Sequence, residues 1–255
     1  MGRTPEQGRH PAHPVVQKTV EVLGTVLFEP VHIEGEEHLH EAATANRPVI
    51  FVANHRAHAD GPVIDAALRA KKFPKNRVYI QGIKLNKVWY TRLGTQAVDR
   101  IHVWPPSLQM ETEEDAAVAR DMNQAALRSS ADVLKGSESL VIFPEAQRGE
   151  SLREVHPAIS AYLTIVKDTL VVPVGLIETE KITPPGKRLV QRHRPTVRFG
   201  APLDMNTIRE KHGSLGKDEK RKAVIDDVMG AIAELLPEEY RGVYSKRARF
   251  YDASR

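Results

Sequence analysis

The sequence predicts a single α/β domain, with a largely parallel central sheet flanked by helices on both faces. Short β-branched runs alternate with longer amphipathic stretches along the 255 residues, as in sheets whose parallel strands are joined by helices. The clearest strand-like runs are apolar on both faces, which is typical of strands buried between two layers of helices. Polar clusters follow two of these runs, and ligands bind at such positions in parallel sheets.

The first elements show this alternation. Apolar residues at helical spacing predict a helix over residues 15–27, which Pro30 stops. The run PVIFVAN, residues 48–54, predicts a buried central strand. A helix then begins near Gly61-Pro62, with Asp60 placed to cap it and proline near its first position.

The later elements continue the pattern as far as the last helix, whose apolar residues share one face. We predict strands at 77–82, 97–103, 139–145, 170–178 and 196–200, and helices at 112–135, 157–168 and 217–236. The polar, proline-rich residues 1–14 are expected to form a flexible tail. Residues 15–240 then form the domain, and residues 241–255 form a basic C-terminal tail.

Composition limits the classes of function. A net charge of +4 and a pI near 9.2 suit anionic partners, but no dense basic stripe interleaved with aromatic residues points to nucleic acid. The absence of cysteine excludes disulfides, thiolate metal sites and cysteine nucleophiles, and it fits a reducing cytoplasm. Since no run resembles a signal peptide or a membrane span, we expect a cytoplasmic protein, with peripheral contact to the inner face of the cell membrane left open.

The first polar cluster lies in FVANHRAHAD, residues 51–60, and it has three interpretations. Asp60 could hold one ring nitrogen of His55 and leave the other to take a proton from a hydroxyl. Alternatively, Asn54, His58 and Asp60 could simply cap the turn and the helix.

The third interpretation of this cluster is a metal site. Zinc hydrolases of the metallo-β-lactamase type carry His-x-His-x-Asp-His after a strand. In that register this chain has Arg56, His58, Asp60 and Gly61, so two of the four ligands are missing. His55 and His58 could still share a metal, but no other cluster has convincing ligand spacing. We therefore predict no bound metal.

The second polar cluster is IFPEAQRGE, which follows another buried strand. Its arginine, Arg148, is placed to bind an oxyanion such as phosphate, because a planar guanidinium can donate two parallel hydrogen bonds. The alternative is a surface ion pair between Arg148 and Glu145, which would contribute little to stability.

Taken together, these clusters resemble the glycerolipid acyltransferases of the lysophosphatidic acid and glycerol-3-phosphate acyltransferase type. The resemblance covers roughly residues 48–178 and consists of four blocks in the same order. The blocks are Asn54-His55…Asp60, Gly94-Thr95-Gln96-Ala97-Val98-Asp99-Arg100, Phe143-Pro144-Glu145…Arg148 and Val172-Pro173-Val174.

The resemblance implies a glycerol-3-phosphate acyltransferase-like fold and acyl transfer to a hydroxyl, most simply that of a lysophospholipid. The donor would be acyl-CoA or acyl-carrier protein, the acceptor a phosphorylated lipid, and no cofactor would be required. By this likeness His55 is the general base and Asp60 orients it. The implied substrate-binding residues are Asn54, Arg100, Phe143, Pro144, Glu145 and Arg148.

The chain also departs from the family pattern, chiefly on the acceptor and acyl-chain side. Ala146-Gln147 stands where the family has Gly-Thr, and the segment KLNKVWYTRLG, residues 84–94, lacks the usual Lys-x-Glu-Leu-Phe opening. The acceptor could therefore differ from a glycerolipid. Two functions remain as alternatives, a metal-dependent hydrolase and a non-catalytic module that binds acyl groups or lipid. His58 has no assigned role.

Overall fold

The computed structural model describes residues 8–19, 29–83, 96–105, 108–182, 184 and 191–246. Within these residues nine strands form one mixed sheet. In chain order the strands are β1 (Arg9–His10), β2 (His32–Glu34), β3 (Val49–Ala53), β4 (Arg77–Gly82), β5 (Asp99–Val103), β6 (Ser139–Ile142), β7 (Leu170–Ile177), β8 (Thr196–Phe199) and β9 (Leu203–Asp204).

Helices cover both faces of this sheet. The α-helices are α1 (Glu36–Thr44), α2 (Asp60–Ala70), α3 (Glu113–Lys135), α4 (Ser160–Leu163), α5 (Met205–Lys211) and α6 (Lys217–Glu234). Short 3₁₀ helices lie at Pro157–Ile159, Thr179–Lys181, Glu238–Tyr240 and Gly242–Tyr244. The longest helix, α3, begins with a capping box, in which the Thr112 side chain accepts from the Asp115 N–H and the Asp115 carboxylate accepts from the Thr112 N–H.

The strand order is β1-β5-β4-β6-β3-β7-β8-β2, with β9 also paired to β7. The central strands β5, β4, β6, β3 and β7 run parallel to one another. Antiparallel pairs occur towards the edges, between β1 and β5 and between β7 and both β8 and β9. The prediction of a largely parallel sheet covered on both faces is confirmed.

Strand β3 shows why the sheet is buried on both faces. Ile50 and Val52 pack into the core beneath α3 and α6, whereas Val49, Phe51 and Ala53 pack into the core beneath α1 and α2. This alternation follows from the two-residue period of a strand, and every residue of β3 is buried. Since β3 lies between β6 and β7, the loops that follow β3 and β6 leave the same edge of the sheet side by side.

Several predicted boundaries were wrong. The strand predicted at 139–145 ends at Ile142, because residues 143–146 form a turn closed by a bond from the Ala146 N–H to the Phe143 carbonyl. The helix predicted at 157–168 ends at Leu163, where the β-branched run Thr164-Ile165-Val166 disfavours further turns. The helix α1 was missed altogether.

The N-terminal residues also differ from the prediction. Arg9 and His10 fall within the predicted flexible tail, but they pair with β5 as strand β1, and the Arg9 guanidinium binds Asp99 and Glu138. Of the helix predicted at 15–27, residues 15–19 are helical and the remainder lies outside the described residues. The same is true of residues 84–94 and of the basic tail beyond Lys246. Among the described residues, no helix is both long and apolar enough to span a bilayer.

Candidate active site

The loops after β3 and β6 bring four of the predicted site residues together. His55 lies in the first loop, Asp60 follows that loop as the first residue of α2, and Phe143 and Glu145 lie in the second loop. Small buried residues, Ala57 and Ala59, let the first loop lie against the body of the protein. The site is therefore built at the carboxyl ends of two adjacent parallel strands, as such sheets favour.

Asn54 joins two strands instead of facing a ligand. Its side-chain oxygen accepts from the Leu176 N–H at 2.7 Å, and its amide nitrogen donates to the Leu176 carbonyl at 3.0 Å. The residue is 2 % exposed. The prediction that Asn54 binds substrate does not fit this burial and these bonds, through which Asn54 holds the end of β3 to β7.

Asp60 organises the loop before it rather than the helix after it. The predicted cap was wrong: Asp60 is the first residue of α2, and the N-cap, Ala59, makes no side-chain capping bond. One carboxylate oxygen, Oδ2, accepts from the Arg56 and Ala57 N–H groups at 2.6 and 2.9 Å and contacts His55 Nδ1 at 2.8 Å. Asp60 is completely buried, and its position at a helix N-terminus favours its negative charge.

One ring nitrogen of His55 is bonded to Asp60, and the other can still accept a proton. Because Nδ1 is bonded to Asp60, the neutral ring carries its proton on Nδ1 and keeps a lone pair on Nε2. The Phe143 ring packs against the imidazole with a centroid distance of 4.6 Å. His55 keeps 18 % of its side chain exposed, so a hydroxyl group from outside the protein could reach Nε2 while Asp60 orients the ring.

Glu145 fixes the backbone of the histidine. Its Oε1 accepts from the His55 N–H at 2.9 Å and its Oε2 accepts from the Arg153 N–H at 3.3 Å, while the Gly149 N–H donates to the His55 carbonyl at 2.9 Å. Burial raises the pKa of Glu145 to about 7, although these two hydrogen bonds act to lower it. Glu145 therefore ties the two loops together.

The turn that carries Glu145 has one unusual residue. Ala146 has φ of 55°, a left-handed conformation that favours glycine. The family pattern has glycine at this position. In this chain alanine replaces that glycine at a backbone conformation that strains a residue with a Cβ atom. Pro144, in the same turn, is buried.

Arg148 is the exposed cation of the second loop. It forms no ion pair within the part of the chain that the structure describes, and the Glu145 carboxylate instead accepts from the His55 and Arg153 N–H groups. Burial lowers the pKa of His58 to about 4, and the charges of Arg148 and His55 contribute in the same direction. The charge of Asp60 acts in the opposite direction. His58 is therefore neutral at physiological pH and lies on the Arg148 side of the site.

Arg100 lies farther from the histidine than the other predicted residues. It is on β5, which β4 and β6 separate from β3, and its register neighbour on β4 is Tyr79. Three strand spacings correspond to about 14 Å. Arg100 shares with Tyr79 the sheet face that α2 covers, since paired residues of neighbouring strands point to the same side.

Arg56 takes part in an ion cluster that the sequence analysis missed. Its Nε donates to Glu180 Oε2 at 2.9 Å, its Nη1 donates to the Glu150 carbonyl, and its guanidinium lies 3.5 Å from the centre of the Tyr240 ring. The Tyr240 hydroxyl contacts Glu180 Oε1 at 3.1 Å. Burial alone would raise the pKa of Glu180, but the bond and the charge of Arg56, with Tyr240, bring it below its usual value.

In the described portion of the chain, no group of three or more His, Cys, Asp or Glu side chains is arranged to hold a metal ion. The carboxylate that would complete a site around His55 is engaged with Nδ1 and two backbone N–H groups.

Comparison with known proteins identifies the family and the fold of the chain. A family model described as "Acyltransferase" matches residues 30–177, more than half of the chain. The crystal structure of the 1-acyl-sn-glycerophosphate acyltransferase PlsC from Thermotoga maritima is similar with a TM-score of 0.53 and 22 % identity, over 87 % of this chain and 79 % of that one. This likeness establishes a shared mixed α/β fold; among curated proteins none matches. From the family match, the chain belongs to the acyltransferase family.

Proposed function

We propose that the protein transfers a fatty acyl group from acyl-CoA or acyl-carrier protein to the hydroxyl of a phosphorylated lipid, such as 1-acylglycerol-3-phosphate, in phospholipid biosynthesis. The observation that carries the proposal is the 2.8 Å contact between His55 Nδ1 and Asp60 Oδ2. It leaves Nε2 as the acceptor of a proton, in the arrangement that a general base requires.

The proposed reaction is a direct transfer. Nε2 of His55 removes the proton of the acceptor hydroxyl as its oxygen attacks the thioester carbonyl carbon. The resulting tetrahedral intermediate expels the thiolate, and the carbon–sulfur bond breaks. The imidazolium of His55, stabilised by Asp60, returns its proton to the thiolate. The products are an ester and a free thiol, and no acyl-enzyme, metal or redox cofactor takes part.

We assign recognition of the acceptor's phosphate to Arg148. Its side chain is exposed, it lies beside the histidine loop, and it has no ion-pair partner among the described residues. A guanidinium without a protein partner is suited to bind a phosphate with two hydrogen bonds. We propose that Arg100 also binds the acceptor's phosphate, although it lies farther from His55.

The identity of the acceptor also implies where the protein works. A lysophospholipid acceptor resides in a membrane, so the proposal includes peripheral contact with the inner face of the cell membrane. The net charge of +4 suits an anionic lipid surface.

The test is mass spectrometry of acylated products after incubation of the protein with long-chain acyl-CoA and a polar lipid extract. The proposal predicts a new diacylated phospholipid and stoichiometric free thiol. Acylation of a lipid other than a glycerolipid would favour the alternative acceptor suggested by Ala146-Gln147. Bound acyl-CoA without any product, with acyl-carrier protein tried as the second donor, would overturn the proposal in favour of a non-catalytic module.

The role of Arg148 is tested by comparing an acceptor that carries a phosphate with one that does not. With 1-acylglycerol-3-phosphate as acceptor, Arg148→Ala should raise KM at least about tenfold, because a charge-assisted contact is lost. With monoacylglycerol, which lacks the phosphate, the same change should have little effect. An equal effect on both acceptors would contradict the assignment.

A further inference from the structure

The residue after the catalytic histidine links the active site to a distant part of the chain. The Arg56 N–H donates to Asp60, but its side chain runs the other way, to Glu180, Tyr240 and the Glu150 carbonyl. Its side chain is 8 % exposed, while that of Glu180 is 26 % exposed. An arginine so buried is held in one position by all three partners.

Tyr240 belongs to a segment that is itself attached to the second active-site loop. We call residues 237–245 the C-terminal segment. The Leu152 N–H donates to the Tyr240 carbonyl at 2.9 Å, and the Val243 N–H donates to the Leu152 carbonyl at 3.3 Å. Gly242, with φ of 48°, lies so close to the Leu152 carbonyl that a Cβ atom would come within 2.0 Å of its oxygen.

These contacts place the C-terminal segment against both loops of the site. Through Leu152 it holds the chain that follows Arg148, and through Tyr240 it holds Arg56, the neighbour of His55. The peptide around His55 is thus fixed from three directions: by Asp60, by the Glu145–Gly149 loop, and by the C-terminal segment through Arg56.

We propose that Arg56 is a positioning residue for His55, which it anchors to the C-terminal segment through Glu180 and Tyr240. The inference rests on the proposed function, since it concerns the placement of the base in acyl transfer. Reaction rates fall steeply when a catalytic group is misplaced, by about a hundredfold for an error near 1 Å. Loss of the anchor should therefore act on turnover more than on binding of the acyl donor.

The experiment compares Arg56→Met with a matched variant, Arg198→Met. Arg198 makes similar contacts elsewhere, since its Nε donates to Glu34 at 2.7 Å and its Nη1 donates to the Leu235 carbonyl at 3.1 Å. Arg56→Met should lower kcat by about ten- to a hundredfold, with KM for acyl-CoA within about twofold of the wild type. Arg198→Met should leave kcat within about twofold.

Tyr240 provides a second pair of variants, which also decides the matter if Arg56→Met fails to fold. Tyr240→Phe keeps the ring against the guanidinium, whereas Tyr240→Leu removes it. Only the leucine variant should lose turnover substantially. In the double variant Arg56→Met/Tyr240→Leu, kcat should fall no further than in Arg56→Met, since both changes break one anchor.

Hydrogen exchange separates this inference from the proposed function, because it requires no turnover. The His55, Arg56 and Ala57 amides donate to Glu145 and Asp60, and they should exchange at least about tenfold faster in Tyr240→Leu than in wild type or Arg198→Met. If the wild-type protein shows no acyl transfer, the proposed function is wrong, but hydrogen exchange still tests the role of Arg56. Unchanged exchange, or a loss of kcat shared equally by Arg198→Met, overturns the role of Arg56.

Discussion

The backbone at residue 146 has a conformation that suits glycine better than the alanine present. Ala146 has φ of 55° in the turn that carries Glu145. A side chain with a Cβ atom in this region costs about 1–2 kcal/mol, because Cβ approaches the following carbonyl oxygen. The sequence marked this position as a departure from the family, and the structure supplies its physical consequence.

Replacing Ala146 by glycine should stabilise the protein. Relief of about 1–2 kcal/mol of strain exceeds the 0.4–1 kcal/mol or so by which glycine favours the unfolded chain. We expect Ala146→Gly to raise the free energy of unfolding by about 0.5–1 kcal/mol, measured by urea denaturation.

The control is Ala117→Gly, in the exposed part of α3. Alanine has the best helix propensity there, so glycine should lower the free energy of unfolding by about 1 kcal/mol. Opposite signs for the two substitutions are the expected result. A loss of stability in Ala146→Gly equal to that in Ala117→Gly would show that residue 146 is not strained.

At the scale of elements, Asn54 determines how β3 is held as it enters the active-site loop. It continues the pairing of β3 with β7 through its side chain, where the backbone turns away. Its place within a sequence block had suggested contact with substrate. Burial, which no local pattern reveals, makes it part of the framework instead.

The loss of this amide should cost considerable stability. In Asn54→Ala the Leu176 N–H and carbonyl become buried groups without these partners, so the free energy of unfolding should fall by about 2–4 kcal/mol. Asn123 is a matched control, because it makes the same reciprocal bonds with the Trp104 backbone in a half-buried position. Asn123→Ala should cost about 1 kcal/mol, since water replaces the lost bonds. Equal losses in the two variants would contradict this account.

Elements were predictable where their side chains alone decide the structure. The run that became β3 is apolar on both faces, and Thr112 with Asp115 marks the start of α3. The boundaries that failed depend on tertiary contacts. The sequence predicts that Asp60 caps a helix, but N–H groups of the preceding loop donate to its carboxylate instead. The strand β1 exists because Arg9 finds Asp99 and Glu138, which are remote in sequence.

Over the whole molecule, the sequence indicated most of the central residues of the site but not what holds them. His55, Asp60, Phe143 and Glu145 lie in two ordered blocks, and parallel strands bring those blocks together. Glu180 and Tyr240 are separated from Arg56 by more than a hundred residues and have no motif of their own. Such partners become visible only when the sheet order and the path of the C-terminal segment are known.

In the reaction that we propose, His55 removes a proton from the acyl acceptor. The most direct measurement is the rate of free thiol release from long-chain acyl-CoA in the presence of 1-acylglycerol-3-phosphate, for wild type, His55→Ala and His40→Ala. His40 is an exposed histidine on α1 and serves as the control. We expect His55→Ala to lower the rate at least about a hundredfold, the usual contribution of a positioned base, and His40→Ala to retain it. Wild-type acyl transfer by folded His55→Ala would contradict the claim.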